Sequence, residues 1–199
     1  MKKLLFLIFI TPIVLMGQEK VIPINLSLYN ESTAIPFTRF LTIPIHLGLQ
    51  VGTEFVYSSK ERSQLFQTAN VCYFYHNYLM QGIGINSELG YEYRMKSRFS
   101  LALLLGVGYM HTFATTEEFY FSNGTYQKKN DKGNARFYPS LSIDVRYFLK
   151  KNKNNSSQLF IRYQSWVEYP YSPDFIPAMT HINLHLGTKF FIHTKDHSK

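Results

Sequence analysis

At 199 residues the chain has room for one domain, and its single cysteine, Cys72, excludes an internal disulfide framework. A formal charge of +8 falls largely in short clusters between strand-like segments, which argues against a groove-reading nucleic-acid module. Aromatic residues make up 17%, 15 Tyr and 17 Phe against one Trp, an enrichment that suits the interfacial girdles of a membrane barrel.

Lys2 and Lys3 precede an apolar run over 4–16 broken only by Thr11 and Pro12, and Gly17 gives way to the polar Gln18, Glu19 and Lys20. This pattern predicts a secretory signal peptide over residues 1–17, cleaved after Gly17, since the run is too short and wrongly flanked for a membrane helix. No cysteine follows the run, which argues against a lipoprotein. Residues 18–199 then form one domain of charge +6.

The mature part alternates apolar and polar residues with a period of two, the mark of strands with opposed faces. About eight strands are predicted. The first covers 21–29, with Ile22, Ile24, Leu26 and Leu28 on one face, and 31–36 reads as a polar, proline-ended loop. The second covers 38–57, with Ile43, Ile45, Leu47, Leu49, Val51 and Phe55 opposed to His46, Gly48, Gln50, Gly52 and Glu54; Pro44 inside it predicts a bulge or a local break in pairing. The third (65–76) and fourth (82–93) flank a tight connection, and the fifth (99–113) sets Leu101, Leu103, Leu105, Val107 and Tyr109 against Ala102, Gly106 and Gly108. The longest loop is expected over 114–134, followed by strands at 135–149, 157–168 and 180–192.

Connections alternate in character. Lys60 with Arg62, then Arg94, Lys96 and Arg98, then Lys150, Lys151 and Lys153 mark short basic turns; the others are longer or richer in aromatics and proline. Short periplasmic turns and longer external loops are the rule for outer-membrane barrels. The expected fold is therefore all-β, an eight-stranded antiparallel up-and-down transmembrane β-barrel with periplasmic termini in the cell outer membrane. A soluble sandwich or lipocalin-like barrel also alternates. Against it stand the charged residues and glycines sharing the polar face, and apolar positions five or six deep in several strands.

The signal segment ending Met16, Gly17 and Gln18 resembles those of Bacteroidota, and four strand segments resemble small outer-membrane barrel proteins of that phylum. These are 67–71 (Gln67 to Val71), 89–91 (Leu89 to Tyr91), 105–109 (Leu105 to Tyr109) and 185–187 (His185 to Gly187). The resemblance implies location and architecture and carries over no functional residues.

Parity points His46, Glu54, Glu88, Glu92, Asp144, Arg146, Arg162, Glu168, His181, His185 and Lys189 into the lumen. Eight strands leave an interior that side chains fill, so these groups read as a self-pairing polar network; a proton path or catalytic cluster is the sharper alternative. His181 and His185 share a face but sit roughly 13 Å apart at strand rise, too far for one zinc. Neither a metal nor a cofactor is expected. No Gly-x-Ser-x-Gly motif occurs, and His111 reads as an interfacial residue on the lipid-facing parity. Cys72 reads as lumen filler. Outside the strands, Phe119, Tyr120, Phe121, Tyr126, Tyr169, Tyr171 and Phe175 are candidate external contacts, with Pro170, Pro173 and Pro177 stiffening the last loop.

The leading expectation is a non-enzymatic barrel with a structural, adhesive or complex-accessory role exerted through its external loops and lipid-facing surface. The alternatives are a lipid-modifying enzyme of acyl hydrolase or acyltransferase type, and a small pore. Expected partners are outer-membrane lipid, lipopolysaccharide and another outer-membrane protein complex, not nucleic acid.

Overall fold

A computed structural model describes residues 21–193 apart from 78, 118, 129–130, 151–155 and 173–174. The signal segment, Lys151, Lys153 and Pro173 lie outside the described residues. The strands are β1 (Val21–Thr33), β2 (His46–Ser59), β3 (Ser63–Tyr75), β4 (Met80–Arg94), β5 (Phe99–Ala114), β6 (Phe119–Ser122), β7 (Thr125–Lys128), β8 (Asn134–Phe148), β9 (Gln158–Glu168) and β10 (Met179–His193). Eight of them close into one antiparallel barrel in the order β1-β10-β9-β8-β5-β4-β3-β2, and β6 with β7 stands apart as a hairpin. Closure pairs the first strand with the last along its whole length, from Val21 opposite His193 to Thr33 opposite His181. The barrel itself has no open edge, so its backbone ladder is satisfied without water.

The two faces are inverted relative to a soluble protein. On β5, Leu101, Leu103, Leu105 and Tyr109 are exposed, while Ala102, Leu104 and Met110 are buried between them. The interior holds six buried carboxylates, the guanidinium groups of Arg94, Arg146 and Arg162, and Lys189. Packing inside is close enough to need glycine: a Cβ on Gly90 would lie 2.3 Å from the Phe66 ring. The opposing glycines let large inward side chains cross the lumen.

Connections differ at the two ends. The start of β1 and the end of β10 share one end with the connections at 60–62, 95–98 and 149–157; the other end carries those at 34–45, 76–79, 115–133 and 169–178. Length alternates only in part: the 76–79 connection is as short as 95–98, and 149–157 approaches 169–178 in length.

Four readings of the sequence are corrected. β2 starts at His46, and residues 38–45 do not pair in the sheet. Pro44, lacking an N–H, lies outside the strand; the register irregularity falls between Val56 and Ser58. Glu31 is inside β1 and buried, and Arg94 is the last, inward-facing residue of β4, so neither belongs to a loop or turn. The expected loop at 114–134 contains the β6–β7 hairpin, closed by Asn123 (φ 53°) and Gly124 (φ 78°), the left-handed pair of a two-residue hairpin turn.

Candidate functional site

The lumen is layered along the barrel axis. In the half nearest the start of β1, four carboxylates and four cations from five strands fill the lumen, six of them linked in one network and Glu92 with Arg94 standing as a separate pair. Arg162 on β9 grips Asp144 on β8 through Nε (2.6 Å) and Nη2 (2.9 Å) and donates from Nη1 to Glu88 on β4 at 2.7 Å. Arg146 donates to Asp144 at 2.9 Å and reaches Glu54 on β2 at 3.2 Å. Lys189 on β10 also pairs with Glu54, which accepts from Asn25 at 3.2 Å. Glu92 takes Arg94 at 3.5 Å and the Ser100 hydroxyl. Ser142 (2.8 Å) and Gln164 (3.1 Å) complete Glu88. With Glu54, Glu88, Glu92 and Asp144 set against Arg94, Arg146, Arg162 and Lys189, formal charge in this layer cancels. Each ion would cost several kcal/mol to bury alone, and the mutual pairing offsets that cost.

Above lies an apolar layer of Tyr29, Cys72, Phe74, Met110, Tyr138 and Trp166. His185 stacks on Tyr29 with ring centroids 4.6 Å apart, and its Nδ1 lies 3.1 Å from Ser27 Oγ. Cys72 is buried 3.6 Å from the Tyr138 hydroxyl, with no activating cation among its described contacts.

At the long-loop mouth, His181 is clamped between carboxylates, Nδ1 to Glu31 at 2.8 Å and Nε2 to Glu168 at 3.1 Å, with the Trp166 ring stacked 4.1 Å away. Arg136 pairs with Glu168 at 2.9 Å and also donates to the Pro170 carbonyl, tying the 169–178 connection to the barrel. His46 is half-buried at this rim, stacked 3.5 Å from His76, and its Nδ1 is 3.2 Å from the Glu31 carbonyl. Burial, helped by the neighbouring His46, holds the His76 imidazole below its ordinary range.

All eleven lumen residues named from parity face inward: seven in the charged layer, His185 against Tyr29 in the apolar layer, and His46, Glu168 and His181 at the mouth; His46 is the least buried. Parity reasoning missed Glu31, Arg94 and Arg136. The odd-numbered run Asn25, Ser27, Tyr29 and Glu31 carried the signal for Glu31. Both nitrogens of His181 face carboxylates, which fixes the ring in place. Thr33 Oγ1, at 3.4 Å from Nδ1, is farther than Glu31. Among the described residues no group of His, Cys, Asp and Glu could hold a metal ion.

Of the external candidates, Phe119, Phe121 and Tyr126 are exposed on the β6–β7 hairpin, with Phe121 and Tyr126 edge to face at 5.3 Å. The side chain of Tyr120 lies outside the described part. Phe175 is 87% exposed at the tip of the 169–178 connection, Tyr169 is exposed, and Tyr171 is half-buried. Tyr169 pairs through its backbone with Phe137, extending the sheet. His111 lies 3.2 Å from the Tyr109 hydroxyl and 3.2 Å from the Lys132 carbonyl, a structural tie at the barrel rim.

No protein-family model and no curated protein matches the sequence. Among solved structures, the chain is similar to neisserial surface protein A (10% identity, 85% of this chain and 95% of that one, TM-score 0.52). Two others are the outer membrane enzyme PagL (9%, 84% and 98%, 0.48) and the attachment invasion locus protein Ail of Yersinia pestis (12%, 88% and 100%, 0.46). At such identity the first of these likenesses is one of fold: the chain is a closed eight-stranded antiparallel β-barrel.

Proposed function

We propose that this chain is an integral outer-membrane β-barrel protein without enzymatic activity, acting through its long-loop end and lipid-facing surface in a structural, adhesive or complex-accessory role. The observation that carries the reading is the inverted partition, with leucines, isoleucines and tyrosines outside and a charge-balanced network inside. Water would not stabilise such an exterior, and a hydrocarbon belt would. The termini and basic turns face the periplasm in this reading. Kinship with the small Bacteroidota barrels belongs to the same proposal and rests on the strand segments quoted above.

The network has its charges committed to one another, which disfavours both a pore and an acid–base site. The surface free to meet a partner is the aromatic tip of the β6–β7 hairpin together with Tyr169 and Phe175. Its aromatic side chains would contact a glycan, lipopolysaccharide or another envelope protein. The test is fractionation of the exporting cell followed by gel migration with and without boiling. Recovery in the outer membrane with a faster unboiled band is expected; a band insensitive to boiling would refute the reading. Lipid A and phospholipid mass spectra unchanged on deletion of the gene are expected as well, and an altered acylation pattern would overturn the non-enzymatic part.

A further inference from the structure

Residues 34–45 leave the top of β1 and fold back down the outside of the barrel. The wall records the cover. Asn30, Leu184 and Tyr163 share one outward-facing row across β1, β10 and β9, and Ser32, Ile182 and Ser165 share the next row toward the mouth. Ile182 is only 2% exposed and Tyr163 9%, although both point away from the lumen. One row toward the termini, Leu28, Leu186 and Ile161 are 59%, 67% and 54% exposed. Covered and bare wall therefore meet between these rows.

The flap is fastened by polar groups that hydrocarbon could not satisfy. The Asn30 amide donates to the Thr42 carbonyl at 3.1 Å and accepts from the His46 N–H at 2.7 Å, and Ser32 bonds the Thr42 hydroxyl. The Tyr163 hydroxyl accepts from the Phe37 N–H at 2.8 Å, while Phe37 and Phe40 each pack 5.3 Å from its ring. Phe37 is held at φ 63°, a conformation a bulky side chain seldom adopts, by these contacts. The flap's exposed surface is largely apolar: Ile35, Phe37, Phe40, Leu41, Ile43 and Ile45 are 53–88% exposed, and the exposed Arg39 is the one charged residue in 34–45. Where the covered rows end, a recess of about 350 Å³ opens on the outer wall, lined among others by Leu28, Leu47, Ile161, Leu184 and Leu186.

We propose that the 34–45 flap is immersed in the lipid rather than in water, and that the recess at its lower edge seats an acyl chain of a membrane lipid. This rests on the membrane reading above. The exposed side of the flap continues the apolar belt, its polar bonds run to the wall except those of Thr38, which bonds the Ile35 carbonyl within the flap, and Leu184 lies five residues from the mouth end of β10, roughly 17 Å along the strand. A hydrocarbon chain is the occupant that an apolar recess on a lipid-facing wall meets first, and its walls offer more dispersion contacts than bare barrel does.

Bromine-labelled phospholipid quenching tests this in vesicles, with the parent protein, whose sole Trp166 faces inward, as the blank. Three variants are compared: Leu105→Trp on β5, opposite the flap; Ile43→Trp on the flap; and Leu26→Trp, one outward position below the recess on β1. Expected are strong quenching at all three sites and half-quenching of Leu26→Trp at a labelled-lipid fraction roughly threefold below that of Leu105→Trp. Quenching at Leu105→Trp with a water-like, unquenched Ile43→Trp overturns the flap. A blue-shifted but unquenched Ile43→Trp means that protein, such as a second copy, covers it, and also overturns the proposal. Matching titrations at Leu26→Trp and Leu105→Trp overturn the seat. An unquenched Leu105→Trp removes the membrane reading itself.

Discussion

Arg162→Met is the perturbation that interrogates the lumen network most directly. The guanidinium makes three charge-assisted hydrogen bonds, two to Asp144 and one to Glu88. Asp144 keeps Arg146 at 2.9 Å after the change, so the stranded charge falls on Glu88, which retains only the neutral Ser142 and Gln164. Removing one partner of a buried pair costs about 3–5 kcal/mol. Glu88→Gln alone leaves the opposite excess and is expected to cost a similar amount. The double variant restores equal numbers of carboxylates and cations, and the amide that replaces the Glu88 carboxylate can still bond Ser142 and Gln164. Its loss is expected to fall short of the sum of the singles by about 2 kcal/mol or more. Urea unfolding of the protein in phospholipid vesicles, followed by tryptophan emission, measures all four corners of the cycle. Additive losses, or an Arg162→Met loss below about 1 kcal/mol, would show that the network is not one charge-balanced unit.

Leu103→Arg, on the lipid-facing side of β5, is expected to cost about 2–4 kcal/mol in the same vesicle assay, and a neutral result would argue against a lipid-facing wall there. Tyr163→Phe removes the acceptor for the Phe37 N–H and is expected to lose about 0.5–1.5 kcal/mol, with faster proteolysis within 34–45 and an intact barrel. Phe121→Ala with Tyr126→Ser should leave unfolding within about 0.5 kcal/mol of the parent, because both side chains are largely exposed, while lowering retention of the protein on envelope partners in a pull-down. His76, held below the ordinary value of 6.5 by burial beside His46, binds fewer protons folded than unfolded. The stability it contributes is present above pH 6.5 and falls as pH drops below that value; His76→Phe should flatten this dependence in backbone amide exchange of the 76–79 turn.

Strand alternation was legible because a period of two leaves little choice about which face a residue takes. Leu101, Leu103 and Leu105 could only be outside if Ala102 and Leu104 were inside, and ten of the eleven residues assigned to the lumen are buried, His46 being the half-buried one. Asn123-Gly124 also carried its hairpin in plain view, since both residues tolerate positive φ. Segment 34–45 was less readable. Its apolar residues alternate well enough to pass for the start of β2, and Pro36 and Pro44 were the only local objections.

Local pattern by itself determined the barrel, its strand count and its inverted faces, because each follows from side-chain parity and turn chemistry. Only the tertiary structure decided which inward charges meet. Arg162 finds Glu88 across 74 positions of chain, and His181 finds Glu31 across 150, distances over which no periodicity speaks. The same holds for the flap: Asn30, Ser32 and Tyr163 are polar groups on an outward face, anomalous in sequence and explained only once the closed wall brings β1, β10 and β9 side by side beneath residues 34–45.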